Sequence, residues 1–155
     1  MEKLAQPLPE GTGTAVAINR HPLHPMLVTF PIALFICALG SDVAYVMLED
    51  HFWARMSLWL LGVATLMGTL AGIAGTLELL IIAGIRHRAS AWSHFVMAVM
   101  LLSVGFINWH GRLEDAAAAI IPVGIYLSLL GVLLVVFAGW LGGKLVFEDQ
   151  VGTQD

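Results

Sequence analysis

His21, Pro22, Leu23, His24 and Pro25 stand directly before an uninterrupted apolar run. Two imidazoles three residues apart, stiffened by two prolines, therefore meet the edge of a hydrocarbon layer. An imidazole in that position needs a partner, because polar groups are costly in lipid and histidine changes charge near neutral pH. Metal, haem and quinone chemistry all supply one. His94 follows about five residues into a second apolar run, roughly 8 Å deep by helical rise. Glu78 is the one charge of a third run. Two or three imidazoles with a carboxylate suit Zn, Fe, Cu or Mn, and a pair of imidazoles suits the two axial positions of a haem iron. Arg20, Arg86 and Arg88 are the cations available to haem propionates.

Those side chains need elements to hold them, and the composition names the elements. The chain has 155 residues, 59% hydrophobic and 12% charged, with mean hydropathy +0.87. A globular domain is about a quarter charged, so this chain cannot cover a soluble surface. A membrane-spanning helix needs roughly 20 apolar residues, and segments 26–48, 56–85, 89–109 and 116–143 qualify. Asp42 is the single charge of the first and Glu78 of the second. Short connections make neighbouring helices antiparallel, giving an all-α integral membrane protein with an up-down bundle of four transmembrane helices. The expected organisation is a polar segment 1–20, a four-helix domain 21–152 and a tail 153–155. Residues 1–20 hold no apolar stretch long enough for a cleavable signal, so the first span is expected to direct its own insertion.

Helical periodicity then sorts faces. His24, Val28, Pro31, Phe35, Ala38 and Asp42 share one side of the first helix, and His94, Ala98, Leu101, Gly105 and Asn108 share one side of the third. In an up-down arrangement His21, His24, Glu78, Arg86, His87, Arg88 and His94 gather at one end. Asp42 and Asn108 are expected to meet near the other. Small residues allow close helix approach in lipid. The stripe Gly68, Gly72, Gly75 and the stripe Gly124, Ser128, Gly131, Ala138, Gly142 should therefore face the interior or the partner in a homo-oligomer. Pro31 should kink the first helix, and Gly142–Gly143 should close the fourth. Cys37 is the only cysteine, which excludes an internal disulfide and reads as a buried, inert thiol.

Lysine and arginine set the orientation. Lys3, Arg20, Arg86, Arg88 and Lys144 fall on the side with both termini, against Arg55 and Arg112 on the other. The bias places both termini in the cytoplasm of a multi-pass membrane protein. The net charge of -4 and the lack of a basic run exclude nucleic acid as a partner. The lipid bilayer and redox proteins are the partners expected.

The segments HPLHPMLVTFPIALF and GTLELL, the histidine opening the third helix, and the closing WLGGKLVFEDQVG resemble a prokaryotic membrane family, domain of unknown function 2231. The resemblance covers roughly residues 20–152. It implies a four-helix membrane protein and, because some relatives are joined to Rieske-type or cytochrome c-type modules, redox work. It carries over to His21, His24, Pro25, Pro31, His94, Gly142 and Gly143, and to Glu78 where relatives usually have aspartate. Thr29 stands where many relatives have another histidine.

Two readings follow. In one, the chain binds haem b or a transition-metal ion through His21, His24, Glu78 and His94 and carries electrons. In the other it is a non-enzymatic membrane subunit whose polar cluster serves packing or proton relay. In that case His21 and His24 cap a helix in the headgroup region, and Glu78 pairs with Arg86, Arg88 or His94. The sequence holds no CxxCH, CxxC or HExxH, which excludes c-type haem and the familiar zinc hydrolases. It also offers no nucleophile-plus-base motif, so no enzymatic activity is assigned.

Overall fold

The computed structural model describes residues 11–19 and 21–153. Four apolar stretches form helices long enough to cross a membrane, as their hydropathy requires. They are α1 (Leu23–Leu48), α2 (His51–Ile81), α4 (Ala89–Gly111) and a fourth that opens with a wide turn, Ile120–Gly124, and continues as α5 (Ile125–Phe147). A single-turn helix, α3 (Ala83–Arg86), lies between α2 and α4. Ahead of α1 a two-residue hairpin pairs β1 (Ala17–Ile18) with β2 (His21–Pro22), turning at Asn19 with φ 49°.

Local chemistry fixes the helix ends. Pro25 falls in the first turn of α1, where its missing N–H costs nothing. Glu49 closes α1 in the left-handed conformation, φ 53°, and its N–H reaches the Tyr45 carbonyl. The Asp50 carboxylate accepts the Phe52 N–H and starts α2. In the loop before α5, Asp115 accepts the N–H groups of Ala118 and Ala117, which hold its carboxyl below the usual carboxylate range.

Three expectations are corrected. The second helix ends at Ile81 rather than Ile85, because Ile82 turns extended (φ -91°, ψ 108°) before α3 begins. Gly142–Gly143 does not close the last helix, which runs on to Phe147 with Lys144 in its last turn. Cys37 is exposed on the outer face of α1 rather than buried. Pro31 sits inside one uninterrupted helix and is buried.

Around the bundle α1 packs on α2 and α5, and α4 packs on the same two, so α1 and α4 face each other across the diagonal. Small side chains make up much of the interior, and many large apolar ones face outward. Ala38, Ala64, Ala71 and Ala138 are buried, while Leu66, Trp59, Phe137 and Trp140 are exposed. Lipid outside removes any penalty for the outward leucines, and small residues inside let backbones approach. At the centre Phe35 of α1 lies over Gly105 of α4, where an added Cβ would come within 2.6 Å of the Phe35 ring.

The two diagonal helices each place a histidine within two turns of the same end of the bundle, His24 on α1 and His94 on α4.

Candidate cofactor site

His24 and His94 each use Nδ1 on a main-chain carbonyl of their own hairpin partner. His24 Nδ1 lies 2.8 Å from the Ala71 oxygen on α2, and His94 Nδ1 lies 3.0 Å from the Ala138 oxygen on α5. A carbonyl oxygen only accepts, so each Nδ1 carries the proton and donates it. Each Nε2 is left with its lone pair. The rings meet across the diagonal at a T-shaped angle of 85°, with centroids 5.9 Å apart.

Glycine seats both rings. A Cβ on Gly75 would stand 2.7 Å from His24 Nδ1, and one on Gly142 would stand 3.2 Å from His94 Cε1. Each seat lies four residues beyond the carbonyl its histidine uses, Ala71 before Gly75 and Ala138 before Gly142, so one helical turn supplies both acceptor and clearance. The expectation that the glycine stripes face the interior is met here, and their ends serve the two imidazoles.

Both histidines line a cavity of 580 Å³ at the end of the bundle that carries the described terminal segments. Its walls come from α2 (Gly72, Thr76), α4 (Ala98, Leu102) and α5 (Gly142, Leu145). The volume falls in the range of small-molecule and cofactor sites, which are mostly apolar with a few fixed polar groups. Gly13, Thr14, Pro22, Val151 and Gly152 form its inner roof.

Glu78 also lines the cavity, but its carboxylate is spent on that roof. Thr14 Oγ1 donates to Oε1, the Val16 N–H donates to Oε1 at 2.8 Å, and the Ala15 N–H donates to Oε2 at 3.1 Å. Exchanged main-chain bonds between Thr12 and residues 150–152 join the two terminal segments. Glu78 therefore anchors a strap. It forms no hydrogen bond with His94 and no ion pair with Arg86 or Arg88.

The other candidate residues lie apart. His21 is exposed, its Nδ1 turned back to the Asn19 carbonyl at 2.8 Å, and it does not line the cavity. Arg86 donates to the Leu80 carbonyl at 3.0 Å and is exposed. Arg88 pairs with Asp149 at 3.1 Å, which ties α4's start to the end of α5. Arg20 lies outside the described residues. Among the described residues no three His, Cys, Asp or Glu side chains gather to hold an ion. The set His21, His24, Glu78 and His94 is therefore not assembled as a multi-ligand ion site, because the hairpin turn holds His21 and the strap holds Glu78.

The far end carries a network that the sequence reading only half anticipated. Asp42 and Asn108 are both buried, as expected, but they meet through Arg112 and Ser128 rather than directly. Arg112 reaches Asp42 with NH1 to Oδ1 at 2.5 Å and NH2 to Oδ2 at 2.8 Å, and donates Nε to Asn108 at 3.0 Å. Ser57 and Ser128, from α2 and α5, each donate to one Asp42 oxygen. Gly124 leaves room for the guanidinium, since a Cβ there would stand 2.9 Å from NH2. Reading Arg112 as an outer-surface cation missed this. The available signal was helical register, since Arg112 falls four residues after Asn108 on the inward face of α4.

No curated protein and no solved structure matches this chain. Residues 20–155 match the family described as predicted membrane protein (DUF2231), and the chain belongs to that family.

Proposed function

We propose that this protein holds a b-type haem between His24 and His94 and serves as an electron-transfer component of the bacterial cytoplasmic membrane. The carrying observation is the matched pair of imidazoles, each fixed in the Nδ1–H tautomer by a main-chain carbonyl and each left with a free Nε2 lone pair. Histidines that bind metal almost always donate their other ring N–H in this way, which sets both tautomer and ring direction. His24 and His94 would hold the group through their Nε2 atoms, and two imidazoles sharing one metal ion at about 2 Å per nitrogen would have centroids no more than roughly 6 Å apart. The observed separation is 5.9 Å.

The number of ligands favours haem over a bare ion. Zinc-type sites use three or four protein ligands, whereas haem iron needs only one or two from the protein. Two imidazoles are available and no third donor joins them among the described residues. A haem held by two imidazoles exchanges single electrons. The chain's own part is to orient the rings through Ala71 and Ala138, to clear space at Gly75 and Gly142, and to keep water out beneath the strap.

Both termini belong in the cytoplasm on this reading. Of the two cations assigned to the opposite side, Arg112 is buried in its ion pair, so Arg55 alone is left to oppose Arg86, Arg88 and Lys144.

The test is the optical spectrum of the full-length protein, produced with haem supplied and purified in detergent. A Soret band at about one haem per chain, lost in both His24→Ala and His94→Ala, supports the assignment. A colourless wild type without bound metal rejects it in favour of a structural membrane subunit. A colourless wild type carrying a stoichiometric transition metal rejects haem in favour of an ion.

A further inference from the structure

We infer that the cavity is loaded from the bilayer, through a window between α2 and α4, with haem already dissolved in the lipid. The inference rests on the haem reading above and names the route by which that site is filled.

Two observations carry it. The cavity is roofed on its aqueous side: Gly13, Thr14 and Pro22 from one terminal segment and Val151 and Gly152 from the other lie across it. Glu78 holds the first segment by three hydrogen bonds, and Thr12 is bonded to Gln150 at 3.0 Å and to Gly152 at 2.9 Å. The Thr12 side chain is packed down on Gly84, whose Cβ would stand 2.7 Å from the Thr12 methyl.

The lateral wall differs. Ile73 on α2 and Val99 on α4 line the cavity, yet they are 55% and 46% exposed on the outer surface of the bundle. Ile73 lies about 12 Å from the inner end of α2, and Val99 about 15 Å from the start of α4, by helical rise. Both depths fall inside a hydrocarbon core of about 30 Å. The exposed side of this wall therefore faces acyl chains and not water. Beside Ile73 the α2 surface is Gly72, over which the Leu102 side chain of α4 lies at contact distance, 3.4 Å from an added Cβ, so one flexible side chain closes the wall there. A flat, largely apolar ligand with an affinity for lipid passes such an opening, and a hydrated one does not.

The experiment uses the full chain, haem-free, in lipid nanodiscs, with haem delivered from protein-free phospholipid vesicles and uptake followed by the Soret band. Ile73→Trp combined with Val99→Trp fills the window with side chains that lipid tolerates. It should slow uptake at least tenfold. Gly84→Val, which pushes Thr12 and its strap upward, should leave the rate unchanged. An unchanged rate in the tryptophan variant, or a tenfold faster rate in Gly84→Val, overturns the window.

A second arm needs no haem. With Cys37→Ser as background, a small fluorophore on Ala98→Cys reports from the cavity wall. Quenching by nitroxide-bearing phospholipid but not by aqueous iodide supports a lipid-side opening. Quenching by iodide alone overturns it. If wild type takes up no haem at all, the functional reading fails and this arm still decides the window.

Discussion

His24 and His94, 70 positions apart on diagonal helices, rest on equivalent glycines of their partner helices and meet with ring centroids 5.9 Å apart. The seats differ in tightness, and this yields a graded prediction. A methyl on Gly75 would press on the His24 ring at 2.7 Å, which the ring must leave to relieve. A methyl on Gly142 meets His94 at 3.2 Å, where a shift of a few tenths of an ångström suffices. On the haem proposal, Gly75→Ala should therefore weaken haem binding tenfold or more, about 1.4 kcal/mol. Gly142→Ala should weaken it less, and Gly139→Ala, with nothing within 4 Å of the new methyl, should match wild type. Haem titrations of the three variants check the order. Equal affinities would mean the glycines serve helix packing alone.

Asp42 and Arg112 form the second prediction. Both side chains are fully buried, and every polar atom of the pair is engaged by the other or by Ser57, Ser128 or Asn108. Removing one partner strands a charge in a low-dielectric interior, which costs about 3–5 kcal/mol. Asp42→Leu and Arg112→Leu should each destabilise the bundle by that order. The double variant should recover much of the loss, because no lone charge then remains. Unfolding by denaturant in micelles or bicelles measures all three. A double variant as unstable as the sum of the singles would show the network to be worth more than its ion pair.

The helices were legible because burial in lipid demands long apolar runs, and those runs contain few charges. The faces were legible too: the 3.6-residue spacing put His24 and Asp42 on one side of α1, and His94 and Asn108 on one side of α4. Two kinds of information were not. Glu78 looked like a ligand because a carboxylate beside histidines has that chemistry, but an irregular terminal strap carries no periodic signal to announce it. Arg112 sits one turn past the last residue of the expected third span, and hydropathy alone assigns an arginine there to the water. Its register, one turn after Asn108 on the inward face, is what identifies it as an interior residue.

Topology supplies the third prediction. Four spanning helices put both ends of the chain on one side. With Arg112 withdrawn into the bundle, Arg86 and Lys144 are exposed on that side against Arg55 on the other, which keeps the bias in the same direction. Reporter fusions at residue 155 should read cytoplasmic, and an insertion after Asp115 should read exported. The reverse pattern would place the His24–His94 end of the bundle on the outer face.

The last prediction concerns Glu78 as the anchor of the strap. Its two oxygens accept the Ala15 and Val16 N–H groups and the Thr14 hydroxyl, and no other side chain performs that task for those donors. Bonds to a charged group contribute roughly 1.5–3 kcal/mol each when well shielded. The Ala15 bond is exposed and the others partly so, which reduces the combined effect to about 1–2 kcal/mol. Glu78→Ala should therefore release the strap locally, with amide exchange at Ala15 and Val16 at least tenfold faster. The helices and membrane insertion should be unaffected, because these depend on the apolar runs and on packing. Glu78→Gln keeps one acceptor oxygen without the charge and should fall between wild type and alanine. Hydrogen exchange resolved to these two amides makes the measurement. Unchanged protection in Glu78→Ala would show that the Thr12 bonds to residues 150–152 hold the roof by themselves, and that Glu78 is free for another role in the cavity.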